Sequence, residues 1–374
     1  MAPYNNNGTA WNYYNAGSTG AITSGSGFST KLAAAGDLSF TGTINSGNIT
    51  PSIGQGSANN FNLIGNPFTA FINLGTFFTD NNGKFTEATI WMWNQNTSSY
   101  DLKMSNTHAS FEIAPGQGFF VSAASSTTVN FNSGNQDHKA DSFQRSAPRT
   151  EINLIATENG KSKSTQIYYI DGTTKGFDNG YDGTMFSTSN RFALYSQLVS
   201  NNQGKNYAIQ SLPLNDIENI IVPIGLNALA GKEITFSISS KNLPNNTNVF
   251  LEDRLNNEFI DITSTSHTIT LKNDTNGIGR FYLRTNSNKL DTPIATSIED
   301  VSLYKSEVNT LSVIGLQSKN ASIKIYSLTG QKVNDQNFNS NGFSKITIPS
   351  LATGVYIIEL SSELGKINKK IILE

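Results

Sequence analysis

Apolar residues in this chain come in short bursts of period two, broken by Gly, Asn, Ser and Pro. Up to Phe131 the bursts include "DLSFTGTI", "NFNLIGNPF", "ATIWMWN" and "GFFVSA". Alternation puts successive side chains on opposite faces of a strand, and the turn residues between bursts mark strand ends. "EINLIATENG", "STQIYYIDG", "KEITFSISS", "NVFLEDRLNNEFIDI", "HTITL" and "RFYLRT" continue the pattern over 150–285. No helix cap followed by a 3.6-residue apolar stripe stands out in this second segment. Over 298–374, "NTLSVIG", "ASIKIYSLTGQKV", "FSKITIP", "GVYIIELSS" and "INKKIIL" leave room for about seven strands, the count of a small immunoglobulin-like sandwich. The polar, aperiodic stretches 132–149 and 286–297 are expected as linkers. The pattern therefore predicts an all-β chain. Two upstream β-sandwich or jelly-roll-like domains, 1–131 and 150–285, precede a seven-stranded immunoglobulin-like β-sandwich over 298–374. No short-period repeat supports a solenoid or propeller.

Composition sharpens this picture by exclusion. Charged residues make up 14% of the chain, against ~25% in an average soluble domain, so the surface is built from hydroxyls and amides. A net charge of −2 gives no electrostatic footprint for nucleic acid or an anionic membrane. No run approaches the ~18 apolar residues of a membrane helix. The opening "MAPYNNNGTAWNYYN" lacks the regions of a signal peptide and reads as domain interior, as expected of a piece of a longer protein. Cysteine is absent, which excludes disulfides, thiolate metal sites and a cysteine nucleophile.

Three clusters invite a chemical reading. "YYIDGTTKGFDNGYDGTMF" gathers Asp171, Asp178, Asn179 and Asp182 among glycines. Oxygen ligands on a turning loop can hold calcium, but the spacing is not that of an EF-hand. Turn stabilisation through side-chain to backbone bonds is the favoured account, and no cofactor is expected. Trp91 and Trp93 share one face of an expected strand, with Trp11, Tyr13 and Tyr14 as a second aromatic group. Such rings stack on sugars when exposed and fill cores when buried, and the core is favoured here. Glu252, Asp253, Glu258 and Asp261 in "LEDRLNNEFID" are expected at solvated strand ends. The three histidines, His108, His138 and His267, share no metal-ligand spacing, and no "GxSxG", Walker or "HExxH" motif occurs. No enzyme is expected.

The last segment carries the most specific signal. "IYSLTGQKV", "ITIPSLATGVYIIEL" and "GKINKKIILE" follow one another: a strand ending at a Gly turn, an "L-x-x-G-x-Y" entry, and a lysine-bearing final strand. Gly330 suits a chain reversal, Gly354 a turn into the strand bearing Tyr356, and Gly365 a hairpin. Lys366, Lys369 and Lys370 either protect an edge strand or present charge to a receptor. These elements closely resemble the type A C-terminal sorting domain of the Bacteroidetes type IX secretion system. The resemblance implies recognition by an outer-membrane translocon and a shuttle protein. It also implies removal by a sortase within or near 286–297, and release or transfer to surface lipopolysaccharide. The sorting motif it marks comprises Gly330, Gly354, Tyr356, Gly365, Lys366, Lys369 and Lys370. Upstream, "NLIGNPF", "IAPGQGFFVSA", "GFDNGYDG" and "NVFLEDRLNNEFIDI" resemble the β-rich region that commonly precedes this label in Bacteroidetes surface proteins. That resemblance implies a secreted or surface location, with structural or adhesive modules. A carbohydrate-binding module with a glycan ligand, on an adhesin or a secreted hydrolase, is the other reading left open.

Overall fold

The computed structural model describes residues 1–8, 11–14, 21–30, 41–95, 97, 99–137, 149–186, 191–286, 298, 301–307 and 309–373. Most of both expected linkers (138–148 and 287–297), His138 and the first half of "DLSFTGTI" lie outside the described residues. The chain divides into two units, Met1–Pro148 with Asn179–Phe186, and Arg149–Asp178 with Ser187–Glu374.

In the first unit the apolar bursts do form strands, but among the described residues these make small sheets rather than one sandwich. A four-stranded sheet runs in the order Phe61–Gly65, Gly118–Ser122, Thr89–Asn94, Ser99–Met104. A three-stranded sheet joins Glu112–Ile113, Phe71–Asn73 and Gln136–Asp137. Between them sits an unexpected helix, α1 (Leu74–Asp80). Asn73 caps it by accepting a hydrogen bond from the Thr76 amide at 3.1 Å, satisfying one of the amides a helix start leaves open. Leu74, Phe77 and Phe78, spaced i, i+3, i+4, turn into a core with Ile64, Ile72, Phe119 and Phe131.

The second unit contains a nearly closed, barrel-like sheet. Its strands are β1 (Thr150–Glu158), β2 (Lys161–Tyr169), β3 (Ala193–Ser196), β4 (Tyr207–Leu212), β5 (Ile221–Ala228), β6 (Glu233–Lys241), β7 (Asn248–Asp253), β8 (Glu258–Asp261), β9 (His267–Thr270) and β10 (Thr275–Asn286). The sheet order is β8-β7-β10-β5-β3-β4-β2-β1-β6-β9. Its two outermost strands, β8 and β9, are consecutive in the chain and joined by residues 262–266, so the sheet curls until its edges are held close. This replaces the sandwich expected over 150–285. Alternation is clean in β1, where Ile152, Leu154 and Ala156 are buried between less buried neighbours. It vanishes in β3, where all residues are buried, and in β5, buried from Val222 onward. Strands covered on both faces carry no period to mark a curling sheet. Twenty buried apolar residues, among them Leu154, Ile167, Leu194, Ile224, Phe236 and Leu283, fill the interior.

The C-terminal β-sandwich follows: β11 (Ser302–Glu307), β12 (Thr310–Ser327), β13 (Lys332–Thr347), β14 (Gly354–Ser362) and β15 (Gly365–Leu373). Its described strands number five, not the seven expected, because two pairs of bursts fuse. "NTLSVIG" and "ASIKIYS" join in β12 across register shifts that start after Ile314, where Gly315 takes φ +86°. β13 likewise runs through Gly342 at φ +96°. β12 pairs with β11 through its first residues and with β14 through Ser322–Ser327, so one bent strand serves where two were expected. Leu311, Val313, Ile323, Ile325, Ile358 and Leu360 are fully buried in this separate core.

Candidate functional site: the terminal strand pair

β14 and β15 form a hairpin in register from Gly354↔Leu373 to Ser362↔Gly365. The connection is two residues long, Glu363 and Leu364, and Gly365 takes φ +130°. Gly330 lies in the turn between β12 and β13 at φ +83°, its amide donating to the Ser327 carbonyl at 2.9 Å. Both positions use the left-handed conformations glycine reaches without strain. Gly354 differs from the expected role. It does not have positive φ, and a Cβ there would meet only ordinary contacts, the closest 3.7 Å from Tyr356 Cε2. The entry to β14 is fixed instead by Tyr356, whose hydroxyl donates to the Ala352 carbonyl at 2.9 Å while the ring packs against the core.

β15 lies at one end of the sheet order, paired with β14. The register separates its lysines. Ile367, Lys369, Ile371 and Leu373 share the inward face, while Lys366, Asn368, Lys370 and Ile372 share the outward one. Lys366 reaches Glu359 at 2.5 Å, and Lys324 approaches the same carboxylate from the other side at 3.7 Å. The Lys366 hydrogen bond is the main reason the Glu359 carboxyl titrates below its ordinary value. Lys370 is exposed, and Ile372 beside it is 58% exposed, an unusual apolar position on a free face. The outward strip of β15 thus mixes positive charge with one aliphatic side chain. The three lysines do not act as one patch.

Lys369 is half-buried, and that burial pushes its amine below the usual lysine value of 10.5. The folded state therefore disfavours the ammonium. The cost is fully present where folded and unfolded chains are both protonated, and it fades as pH rises past the folded value towards the unfolded one. Lys369→Met should stabilise the sandwich at neutral pH by roughly 0.5–1 kcal/mol, a figure already reduced for solvent screening. Thermal unfolding of both proteins between about pH 7 and pH 10.5 should show that advantage shrinking. A constant advantage would assign the effect to packing alone.

Other candidates fall elsewhere. Asn179 and Asp182 belong to a strap of the first unit. The Asn179 side chain accepts from the Ala88 amide at 2.7 Å, and the Asp182 carbonyl accepts from the Thr89 hydroxyl at 3.4 Å. Glu87 accepts from the Thr184 amide at 3.0 Å, Trp91 donates to the Thr184 carbonyl at 2.9 Å, and the Phe186 ring meets Phe61 at a tilt, their centroids 4.2 Å apart. Asp178 accepts from the Thr174 amide at 2.6 Å, closing a turn. Asp171 borders an open, polar depression of about 430 Å³ with Pro213, Asn215 and Asp216. Among the described residues no cluster of His, Asp or Glu is arranged to hold a metal. The tryptophan pair is split: Trp91 is fully buried, Trp93 is 51% exposed and meets Tyr100 edge-on at 5.2 Å. Tyr13 and Tyr14 are exposed.

Glu252 and Asp253 are not at solvated strand ends. Both are buried. Glu252 accepts from Arg254 at 2.9 Å and from Arg284 at 2.6 Å, and Asp253 takes both arms of Arg280 at 3.0 and 2.7 Å. Arg254 also lies over the Tyr282 ring at 3.6 Å. Arginines 280 and 284, two turns of the pleat apart in β10 and beside β7, were the available sign that these carboxylates are paired.

A family model described as a domain of unknown function, DUF8693, matches residues 3–284. The chain belongs to the DUF8693 family. Its DUF8693 region takes in the small sheets of the first unit and the barrel of the second. A second model, the secretion system C-terminal sorting domain, matches residues 306–374, which cover the sandwich from the end of β11 onward. The sorting domain marks this DUF8693 chain as a type IX-secreted protein, exported or attached at the cell surface. No curated protein matches it. Among solved structures it is similar to one titled "Crystal structure of dimeric latent PorU from Porphyromonas gingivalis", at 9% identity and a TM-score of 0.18. That likeness covers 66% of this chain, which spans 31% of the other.

Proposed function

We propose that β14 and β15 form the surface by which an outer-membrane translocon and its shuttle hold this chain. A sortase then cuts within or near 286–297, releasing the upstream region or passing it to surface lipopolysaccharide. The observation that carries this reading is the position of the sorting-domain match on a folded sandwich whose last strand, among the described residues, lies at an end of its sheet. Such an edge accepts a further strand from a partner, and the outward strip of Lys366, Lys370 and Ile372 gives it chemical character. The upstream region serves as a structural or adhesive module and carries no catalytic role.

A second reading, glycan binding, draws on Trp93. Its exposed ring, braced by Tyr100 and donating to Gln95 at 3.1 Å, offers one stacking face rather than a coplanar pair. The adhesive reading stands ahead of it.

A fusion decides the main reading. Residues 286–374 are placed behind a periplasmically targeted fluorescent protein in a type IX-competent host. Fluorescence in the medium or on the surface, lost when the translocon is deleted, is the expected result. Cargo retained in the periplasm would overturn the assignment of the signal to the sandwich alone.

A further inference from the structure

The outer face of the barrel poses a problem of coverage. In β3 the Leu194 side chain joins the barrel core, so Tyr195 must face outward, yet it is only 3% exposed. Its ring lies over Gly225 of β5, where a Cβ would stand 2.0 Å from Tyr195 Cε2. The sandwich has the matching feature. Ser312 and Ile314 in β12 alternate with the core residues Leu311 and Val313, so they face away from the sandwich core, yet each is 1% exposed. Tyr304 of β11 is the cross-strand partner of Ser312 and lies on that same face. Two outward faces, both buried, require each other.

Contacts at named atoms show how they meet. Gly204, in the β3–β4 connection, takes φ +79°, and a Cβ there would stand 2.5 Å from Tyr304 Cε2. The connection is preorganised by buried amides: Asn202 donates to Gln197 at 2.9 Å, Gln197 donates to Asn206 at 2.9 Å, and the Gly204 amide donates to Asn202 at 2.8 Å. Gly279 of β10 admits no side chain either, since a Cβ would stand 2.7 Å from the Gly342 carbonyl oxygen of β13. Arg254 completes the set. One arm is held by Glu252, its plane by Tyr282, and its Nη1 donates to the Gly315 carbonyl at 3.1 Å. That carbonyl sits where β12 begins to bulge, so it is turned away from the ladder and open to an outside donor. The guanidinium is aimed by partners that belong to the barrel itself, so little ordering is needed to make this bond. Burial at this contact also raises the Tyr304 phenol, which hydrogen-bonds Ser312 and Gln197, and pushes the Tyr195 phenol up to about 12.

We propose that the outer face of the barrel is a built seat for the sorting sandwich of the same chain, held by Arg254 on Gly315 and Tyr304 on Gly204, so that cutting the chain between them leaves the two noncovalently joined. The sandwich is then a docked label rather than a tethered one, and proteolysis alone does not discard it. This inference does not depend on how β15 is read by a partner.

The test uses the full chain with a site for a sequence-specific protease inserted between residues 290 and 291. After cutting, the C-terminal fragment that begins at residue 291 should co-elute with the barrel in gel filtration at about 10 μM, as a dissociation constant in the micromolar range or below allows. Tyr304→Ala, which leaves the barrel sequence intact, should raise the apparent dissociation constant at least tenfold, and Arg254→Ala at least as much. Thermal unfolding of each uncut variant checks its fold, and if Arg254→Ala unfolds the barrel, Tyr304→Ala carries the decision. Separation of the wild-type fragments on cutting would overturn the proposal, as would retention of the Tyr304→Ala fragment at wild-type affinity.

Discussion

A chain ending at Leu364 will remain in the periplasm while its barrel stays folded. Removing β15 takes Ile367, Ile371 and Leu373 from the sandwich core and uncovers Ile358 and Leu360, both fully buried in the intact protein. At about 1.5–3 kcal/mol for each fully buried aliphatic side chain, the loss rivals the whole stability of a small domain. The barrel has its own core of twenty buried apolar residues and loses none of them. Immunoblots of medium, surface and periplasmic fractions measure export, and urea unfolding of the purified truncation measures the barrel. The companion variant Lys366→Glu/Lys370→Glu keeps the strand and its inward face but reverses the outward charge. Export lost in the truncation and weakened in the double variant places recognition on the outward strip. Normal export of the truncation would remove β15 from the signal.

Glu252→Ala should cost the barrel about 3–5 kcal/mol, the usual penalty for removing one partner of a buried ion pair. The carboxylate bridges Arg254 and Arg284, whose side chains are 4% and 6% exposed. Without it, two guanidiniums remain buried, compensated by cation–π contacts to Tyr282 and Phe259 and, for Arg254, by the Gly315 carbonyl. Glu252→Gln keeps the shape and one hydrogen-bond acceptor and should cost less. Urea midpoints with unchanged m-values give both figures. A loss under about 1 kcal/mol for the alanine variant would mean water reaches the pair.

Where one face of a strand is wet, the sequence shows it. "EINLIATE" alternates in β1 as it does on paper, and "VYIIEL" already separates Ile358 and Leu360 from Val355 and Ile357. Lys369 was legible by the same parity, since it shares the face of Ile371 and Leu373. Curvature was not legible. β3 and β5 are buried on both sides, one by the barrel core and the other by cover outside it, so nothing in "ALYS" or "IVPIGLNA" distinguishes a flat layer from a curling one. α1 was missed because it is a single capped segment of seven residues, too short for its i, i+3, i+4 spacing to outweigh the strands around it. Glu252 and Asp253 were misplaced because a carboxylate is ordinarily exposed. Their partners Arg280 and Arg284 are close only once β7 pairs with β10. Gly204, Gly279 and Gly315 look like any other turn glycines until a neighbouring backbone or ring is seen against them.

The barrel's pairing scheme also bears on time. β1 must find β6 some eighty residues later, and β5 must find β10 after four intervening strands, whereas β14 and β15 close over a two-residue turn. Long-range pairings of this kind form slowly and local hairpins quickly. The β14–β15 hairpin is therefore expected to close before the long-range pairings of the barrel are made. The Arg254 contact becomes available only when β7 and β10 are in register. If the sandwich docks as proposed, its seat is complete only once these slower strands are in register, so a seated label would report a finished barrel.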